Sequence, residues 1–214
     1  MADGPVVAVR GEAYREVAPE LARFEVTATA RERDRQVALA RLAERAAAVR
    51  VLLDEHEPAV DRREAGELRV RPETNRSGER VVGYLGSVST TVTVTDFSTL
   101  AELMLRLAEQ DHVEVAGPWW SLRPDSPAHR EARHAAIADA LRRAREYAEA
   151  LGARVTGLLE LADTDEGFGG AGGGAMYARQ ARQAGPPELE LDPRPQPVHA
   201  VVRARFTISE PVLA

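Results

Sequence analysis

Residues 126–152 read SPAHREARHAAIADALRRAREYAEALG, which is the clearest helical pattern in the chain. Ser126 suits an N-cap, Pro127 suits the first helical position, and Gly152 suits the left-handed residue that ends a helix. The apolar residues between them recur at helical spacing: Ile137, Leu141, Ala144, Ala148 and Leu151, with Ala132, Ala136 and Ala140 beside them. A stripe so rich in alanine lets a backbone approach closely, which predicts a helix lying on a sheet.

Outward from this helix, most segments alternate apolar and polar residues and predict strands. The strand predictions cover residues 6–10 (ending at Gly11), 19–30, 68–72, 80–95, 112–122, 154–162 and 198–209, with helices at 34–55 and 96–110, the second capped by Asp96 or Ser98. From 19 to 122 the order is strand, helix, strand, strand, helix, strand, which is the split βαβ pattern. The predicted fold class is α+β, with one main antiparallel sheet, helices on one face, and an added long helix and C-terminal strand.

Composition narrows the classes of protein that fit. The 214 residues include no cysteine, which excludes disulfides, thiolate metal sites and thiol nucleophiles. The net charge is −6, so the basic excess typical of nucleic-acid binding is missing. No apolar run reaches the ~20 residues that a membrane span needs. The start, MADGPVVAVRGEA, has no secretory signal pattern, and we expect a cytoplasmic protein if this is the native N-terminus.

Residues 165–197 break the periodic pattern. They are rich in glycine and proline and predict one mobile loop in an otherwise single domain over 1–214. Within this loop Gly167, Gly169 and Gly172 fit GxGxxG, so residues 167–174 are a candidate ligand or nucleotide loop. The alternative is a flexible linker, which the context favours because no parallel strand follows.

Other candidate groups are weaker. His129 and His134 lie about 140° apart around a helix, which is poor zinc geometry. Asp163, Asp165 and Glu166 form an acidic cluster that either holds a cation or is a solvated turn. No nucleophile elbow occurs, and no motif indicates a cofactor or a metal.

Trp119 and Trp120 are the only tryptophans. Neighbours on a strand point to opposite faces, so we expect one ring in the core and one facing outward. The outward ring either anchors a subunit interface or is covered by a loop of its own chain. A polar sheet face is also expected, formed by the Ser/Thr row at 87–95 with Arg23, Thr27, Arg203 and Arg205.

The chain resembles the SIMPL domain, a bacterial domain of unknown function also found in an animal signalling adaptor. The resemblance rests on VVAVRGEA, PELARFEVTATA, VVGYLGSVSTTVTVTDFSTLAELM and REARHAAIADALRRAREYAEALGARVTGLLEL, and it covers nearly the whole chain. It implies an α+β fold like that of bacterial periplasmic immunogenic members and a tendency to build large homo-oligomers. It carries over no catalytic residues. Many members have a signal peptide, and this sequence departs from that pattern.

Taken together, these observations predict a non-enzymatic protein that acts by homo-oligomeric assembly or by binding another protein. The interface candidates are Trp119, Trp120, Arg203 and Arg205. The alternative is a small-ligand module that uses the glycine-rich loop.

Overall fold

The computed structural model describes residues 4–76, 78–164 and 191–212. They form two compact units. The first, called the three-stranded unit, contains the N-terminal strand, the long helix and the last two strands; the second, the four-stranded unit, contains the elements between them. The prediction of a single domain stays a prediction, because compactness does not decide whether either unit folds alone.

The three-stranded unit holds β1 (Val6–Val17), α3 (Pro127–Ala150), β6 (Val155–Asp163) and β7 (Gln196–Ile208). Its sheet has the order β1-β7-β6, and both pairings are antiparallel. Because β7 is the central strand, this C-terminal segment pairs with a strand on each side. Its regular alternation predicted a strand here.

Helix α3 follows its predicted signals at both ends. Ser126 Oγ accepts from the Ala128 N–H at 3.3 Å, and Gly152 takes a φ of 64° after the last turn. The buried face differs from the predicted stripe, since Ile137 and Leu151 are 37% and 39% exposed. The buried positions are alanines at every fourth residue: Ala128, Ala132, Ala136, Ala140, Ala144 and Ala148. We call this row the alanine seam.

Gly11 does not end β1, which continues to Val17, so the predicted strand end is wrong. A Cβ built on Gly11 would lie 2.1 Å from the carbonyl oxygen of Ala136 and 2.7 Å from the Cβ of Ala140. Gly11 is therefore required by the close approach of strand and helix.

The four-stranded unit holds six main elements. They are β2 (Leu21–Glu32), α1 (Arg35–Glu55), β3 (Val60–Thr74), β4 (Val81–Val94), α2 (Leu100–Ala108) and β5 (Val113–Ser121), with a 3-10 turn at Glu57–Ala59. The sheet order is β3-β4-β2-β5, with every pairing antiparallel. Residues of both helices share one core cluster with the same sheet face, which confirms the split βαβ prediction.

The core of this unit is built as the alternation of β2 predicted. Phe24 is fully buried between neighbours from β4, α1 and α2. Leu191 also packs against this cluster, so this part of the predicted mobile loop 165–197 is held in place. Five residues after Leu191, still within the same segment, β7 already begins at Gln196.

The structure confirms the predicted N-cap of α1 and contradicts the predicted N-caps of α2. Asp34 accepts from the Gln36 and Val37 N–H groups at 2.8 and 3.1 Å, which confirms the predicted start of α1. Neither Asp96 nor Ser98 caps α2, whose N-cap is Thr99. Asp96 instead accepts from the backbone N–H and the hydroxyl of Ser98, and these bonds lower the pKa of Asp96.

The α+β class is confirmed, but the expectation of one main sheet is not. The strands divide into two separate antiparallel sheets. Across residues 4–76, 78–164 and 191–212, the helices are all too short or too polar to traverse a bilayer.

Candidate functional site

The two tryptophans of β5 lie on opposite faces, as predicted. Trp120 packs against the core of the four-stranded unit and meets Phe97 edge-on, with ring centroids 4.9 Å apart. Trp119 is 46% exposed and lies opposite Arg23 of β2 in the sheet register. The outward ring is thus open to contact on the polar side of this sheet.

The residues of the predicted polar face come from strands of both sheets. Arg23 and Thr27 lie in the four-stranded sheet opposite Thr93 and Ser89. Arg203 and Arg205 belong to β7 of the three-stranded sheet, where Arg205 pairs with Glu160 at 3.3 Å. The interface candidates therefore belong to two different sheets.

The glycine-rich ligand loop stays a prediction. Gly167, Gly169 and Gly172 lie outside the described residues, as do Asp165 and Glu166. Asp163, the remaining member of the acidic cluster, is the exposed last residue of β6. Within the part of the chain that the structure describes, no three His, Asp or Glu side chains come together as a metal site.

A cavity of about 740 Å³ opens beside the start of α3. Its walls include the basic residues His129, Arg130 and Arg133 and also the acidic Asp125 and Asp163. This mixed charge selects for neither an anion nor a cation. His134 does not line the cavity, so the two helix histidines do not form a shared site.

Strand β6 of the three-stranded unit exposes three leucines that are close together in sequence. Leu158, Leu159 and Leu161 are 56%, 41% and 44% exposed. Leu158 lies opposite Phe206 and Leu161 opposite Ala204, on the sheet face that α3 covers. Helix α3 packs mainly over β1 and β7, so it leaves these leucines open.

An apolar groove of about 370 Å³ separates α3 from β6. It is lined by Ile137, Leu141, Val155, Leu158, Leu161 and Phe206, among others. Ile137 and Leu141, predicted as core residues, thus form one wall of this groove. Sequence reasoning missed the site, although the low charge of VTGLLELAD was a signal that could have drawn attention to it.

Among the described strands, the edge strands β1, β3 and β5 are protected against strand addition, unlike β6. On β1, the Glu12 N–H donates to the Asp139 carboxylate at 3.1 Å, and Arg15 pairs with Glu131 at 2.6 Å. The hydrogen bond from Glu12, assisted by neighbouring arginines of α3, lowers the pKa of Asp139 below its usual value. Helix α3 therefore keeps the edge of β1 occupied with charged groups.

The edges of the four-stranded unit use different devices. In β5, Pro118 follows Gly117 within the strand and removes a backbone donor. In β3, Pro72 does the same, and charged side chains crowd both faces: Asp61, Arg62, Arg63, Glu64, Glu67, Arg69, Arg71 and Glu73. Charged and proline-containing edges resist pairing with another chain.

Strand β6 has few of these protections. Its nine residues include two charges, Glu160 and Asp163, and no proline. Glu160 is already paired with Arg205. Register shifts next to Val155 and Leu158 are the one protective feature that it shares with β3. We call the exposed leucines Leu158, Leu159 and Leu161 with this edge the β6 edge site.

Comparison with known proteins supports a family assignment. No curated protein matches the sequence significantly. A family model described as "Protein of unknown function (DUF541)" matches residues 7–206. Apart from the first residue of β1 and the last two residues of β7, this range includes the seven strands and three helices that the structure describes. The match covers far more than half of the chain, and the protein therefore belongs to the SIMPL family.

Proposed function

We propose that this protein acts by assembly, as a homo-oligomer, and that it performs no catalysis. The observation that supports this proposal most directly is the β6 edge site, where exposed leucines lie on an edge strand of the sheet formed by the described residues. Free, apolar strand edges are templates for pairing with another chain. The resemblance described above implies the same behaviour.

The pattern of perturbed groups agrees with a non-catalytic role. Among the residues that the structure describes, the groups with shifted pKa values are Tyr14, Asp96, Asp139 and Arg142, and each shift comes mainly from one hydrogen bond to a neighbouring residue. Active sites instead gather such groups in a cleft. Here Asp139 serves the edge of β1, and Asp96 serves a turn before α2.

The energetics suit a moderate interface. Fully burying an exposed leucine contributes about 1.5–3 kcal/mol, so three leucines that are roughly half exposed contribute about 3 kcal/mol per copy. Two copies gain about 6 kcal/mol before strand hydrogen bonds are counted and the cost of association is subtracted. Micromolar self-association requires about 8 kcal/mol, so strand pairing across the contact has to contribute more than the leucines alone.

Native mass spectrometry of the full-length protein, with light scattering from about 1 to 100 μM, tests the proposal. Discrete multiples of the chain mass that grow with concentration would support it. A strict monomer across the range would refute it. A monomer that carries an unexplained small mass would instead favour the ligand-binding alternative at residues 167–174.

A further inference from the structure

The cavity at the start of α3 and the apolar groove between α3 and β6 are adjoining sections of one cleft. On α3, Arg133 lines the cavity and Ile137, one turn later on the same side of the helix, lines the groove. On β6, Leu161 lines the groove and Asp163, two residues later, lines the cavity. Both β6 side chains lie on the sheet face that α3 covers, so the cleft continues from the groove into the cavity.

The two sections differ in polarity. Thr156 is the single residue of the groove lining with a polar side chain. The cavity is lined by two arginines and two aspartates, besides two histidines: Arg130, Arg133, Asp125, Asp163, His129 and His199. Within the part of the chain that the structure describes, these arginines and aspartates form no ion pair, although Arg133 and Asp163 belong to opposite walls. The cavity therefore presents unpaired charges of both signs across a space.

This arrangement is complementary to a molecule with an apolar chain and a head that carries both charges. The walls from Arg133 to Leu141 extend about 12 Å along the helix axis, which is longer than an amino-acid side chain and suits an alkyl chain. A head group with a cation toward Asp163 and an anion toward Arg133 satisfies both walls. A head group with a single charge would face a like charge on one of them.

We infer that the cleft between α3 and β6 binds a zwitterionic amphiphile with one alkyl chain, as in a phospholipid that has lost one acyl chain. The alkyl chain occupies the groove, and the ammonium and phosphate of the head occupy the cavity. This inference goes beyond the proposed function and does not depend on it, because one copy of the protein supplies the whole site. The ligand covers Leu158 and Leu161 and leaves Leu159, which does not line the groove, open for contact with another chain.

Dodecylphosphocholine has this chemistry and is the probe that we would use. The full chain would be titrated below the concentration at which the probe forms micelles, with calorimetry and backbone-amide NMR as readouts. We expect saturable binding of one probe per chain, with the shifted amides concentrated in α3 and β6. Glycerophosphocholine, the head without the alkyl chain, should bind at least tenfold more weakly, because burial in the groove is lost. Binding that does not saturate would overturn the inference.

Two leucines of β6 provide matched variants. Leu161 and Leu159 are 44% and 41% exposed, but Leu161 lines the groove and Leu159 does not. We expect Leu161→Glu to weaken probe binding at least tenfold and Leu159→Glu to change it less than twofold. Equal effects of the two variants would contradict the assignment to the groove, provided that both melt like the parent protein.

The charge of the probe tests the head-group position. We expect the parent protein to prefer dodecylphosphocholine over the anionic dodecanoate and the cationic dodecyltrimethylammonium. Arg133→Gln should weaken binding of dodecanoate alone, and Asp163→Asn should weaken binding of dodecyltrimethylammonium alone. Each loss should be about two- to fivefold, as is typical of exposed charge pairs. If each variant affects both probes alike, the head group does not lie between these walls and the inference fails.

The same chemistry occurs in free lipids with one chain and at the surface of a phosphatidylcholine bilayer. Sedimentation with phosphatidylcholine vesicles distinguishes these sources. Sedimentation that Leu161→Glu abolishes and Leu159→Glu preserves would support the inference with a membrane as the source. Probe binding without sedimentation would support it with a free lipid as the source. Sedimentation without probe binding would refute it.

Discussion

Replacing Gly11 with alanine should force β1 and α3 apart. The new Cβ would lie 2.1 Å from the Ala136 oxygen and 2.6 Å from the Ala140 nitrogen, and both are backbone atoms of a helix. Relief requires a movement of about 1.4 Å or more, because carbon contacts are favourable only near 3.5–4.0 Å. That movement would loosen the alanine seam along its length, so we expect a loss of at least about 3 kcal/mol in unfolding free energy.

Urea and thermal denaturation of the full chain would measure this loss. A cost of about 3 kcal/mol corresponds to a fall of about 6–12 °C in the melting temperature for a chain of this size. Gly157→Ala is the matched control, because its Cβ meets only the Thr207 hydroxyl, at 3.0 Å. If Gly11→Ala proves as stable as this control, the close approach of β1 to α3 is not the reason for the glycine.

Three further substitutions test other features. Phe24→Ala should cost about 3–5 kcal/mol in urea denaturation, because it empties a fully buried site in the core of the four-stranded unit; a cost below about 1 kcal/mol would contradict that packing. Asp34→Ala should cost about 1 kcal/mol through loss of the α1 cap, and Asp96→Ala, which removes no cap, should cost less; equal losses would argue against the capping role. Asp139→Asn should lower stability at neutral pH by about 1 kcal/mol, since the ionised carboxylate accepts from the Glu12 N–H. Because folding lowers the pKa of Asp139, the stability that its carboxylate contributes is present above the usual aspartate pKa and is lost as the pH falls through the lower folded value. The stabilities of the parent protein and of Asp139→Asn should therefore converge in denaturation scans at strongly acid pH. A difference that stays constant with pH would refute the assignment.

Local sequence patterns were sufficient to predict most of the helices and strands. The alternation around Phe24 identified both the strand and its buried face, and the residues before Arg35 and Pro127 marked the starts of two helices. These features depend on residues within a few positions of each other. The family was predictable for the same reason, since its motifs follow these elements.

The division into two sheets depends on pairings that are distant in sequence. Arg23 and Arg203 lie in strands with the same alternating pattern. No local sequence feature indicates that β1 pairs with β7, which is at the opposite end of the chain. Periodicity assigns a residue to a face of its own strand, but not to a particular sheet. The residues of the predicted polar face were therefore assigned to one sheet when they belong to two.

The β6 edge site was missed for a related reason. A short apolar run is compatible with a buried central strand and with an exposed edge strand. Leu158 is exposed because α3 lies over the neighbouring strands, which is a consequence of tertiary packing. The buried face of α3 was also predicted incorrectly. Ile137 is more hydrophobic than Ala136, but the close approach of the sheet leaves room only for the small side chain of Ala136.

The alanine seam restricts the number of residues in α3 as strongly as it restricts which residues occur there. Rows of every fourth residue incline by about 26° to a helix axis, close to the angle by which neighbouring strands rotate in a twisted sheet. Inserting or deleting a single residue within α3 would rotate all later alanines by about 100° and turn larger side chains toward the sheet. Related sequences should therefore vary in length in the turns around α3 and keep a fixed residue count between Ala128 and Ala148.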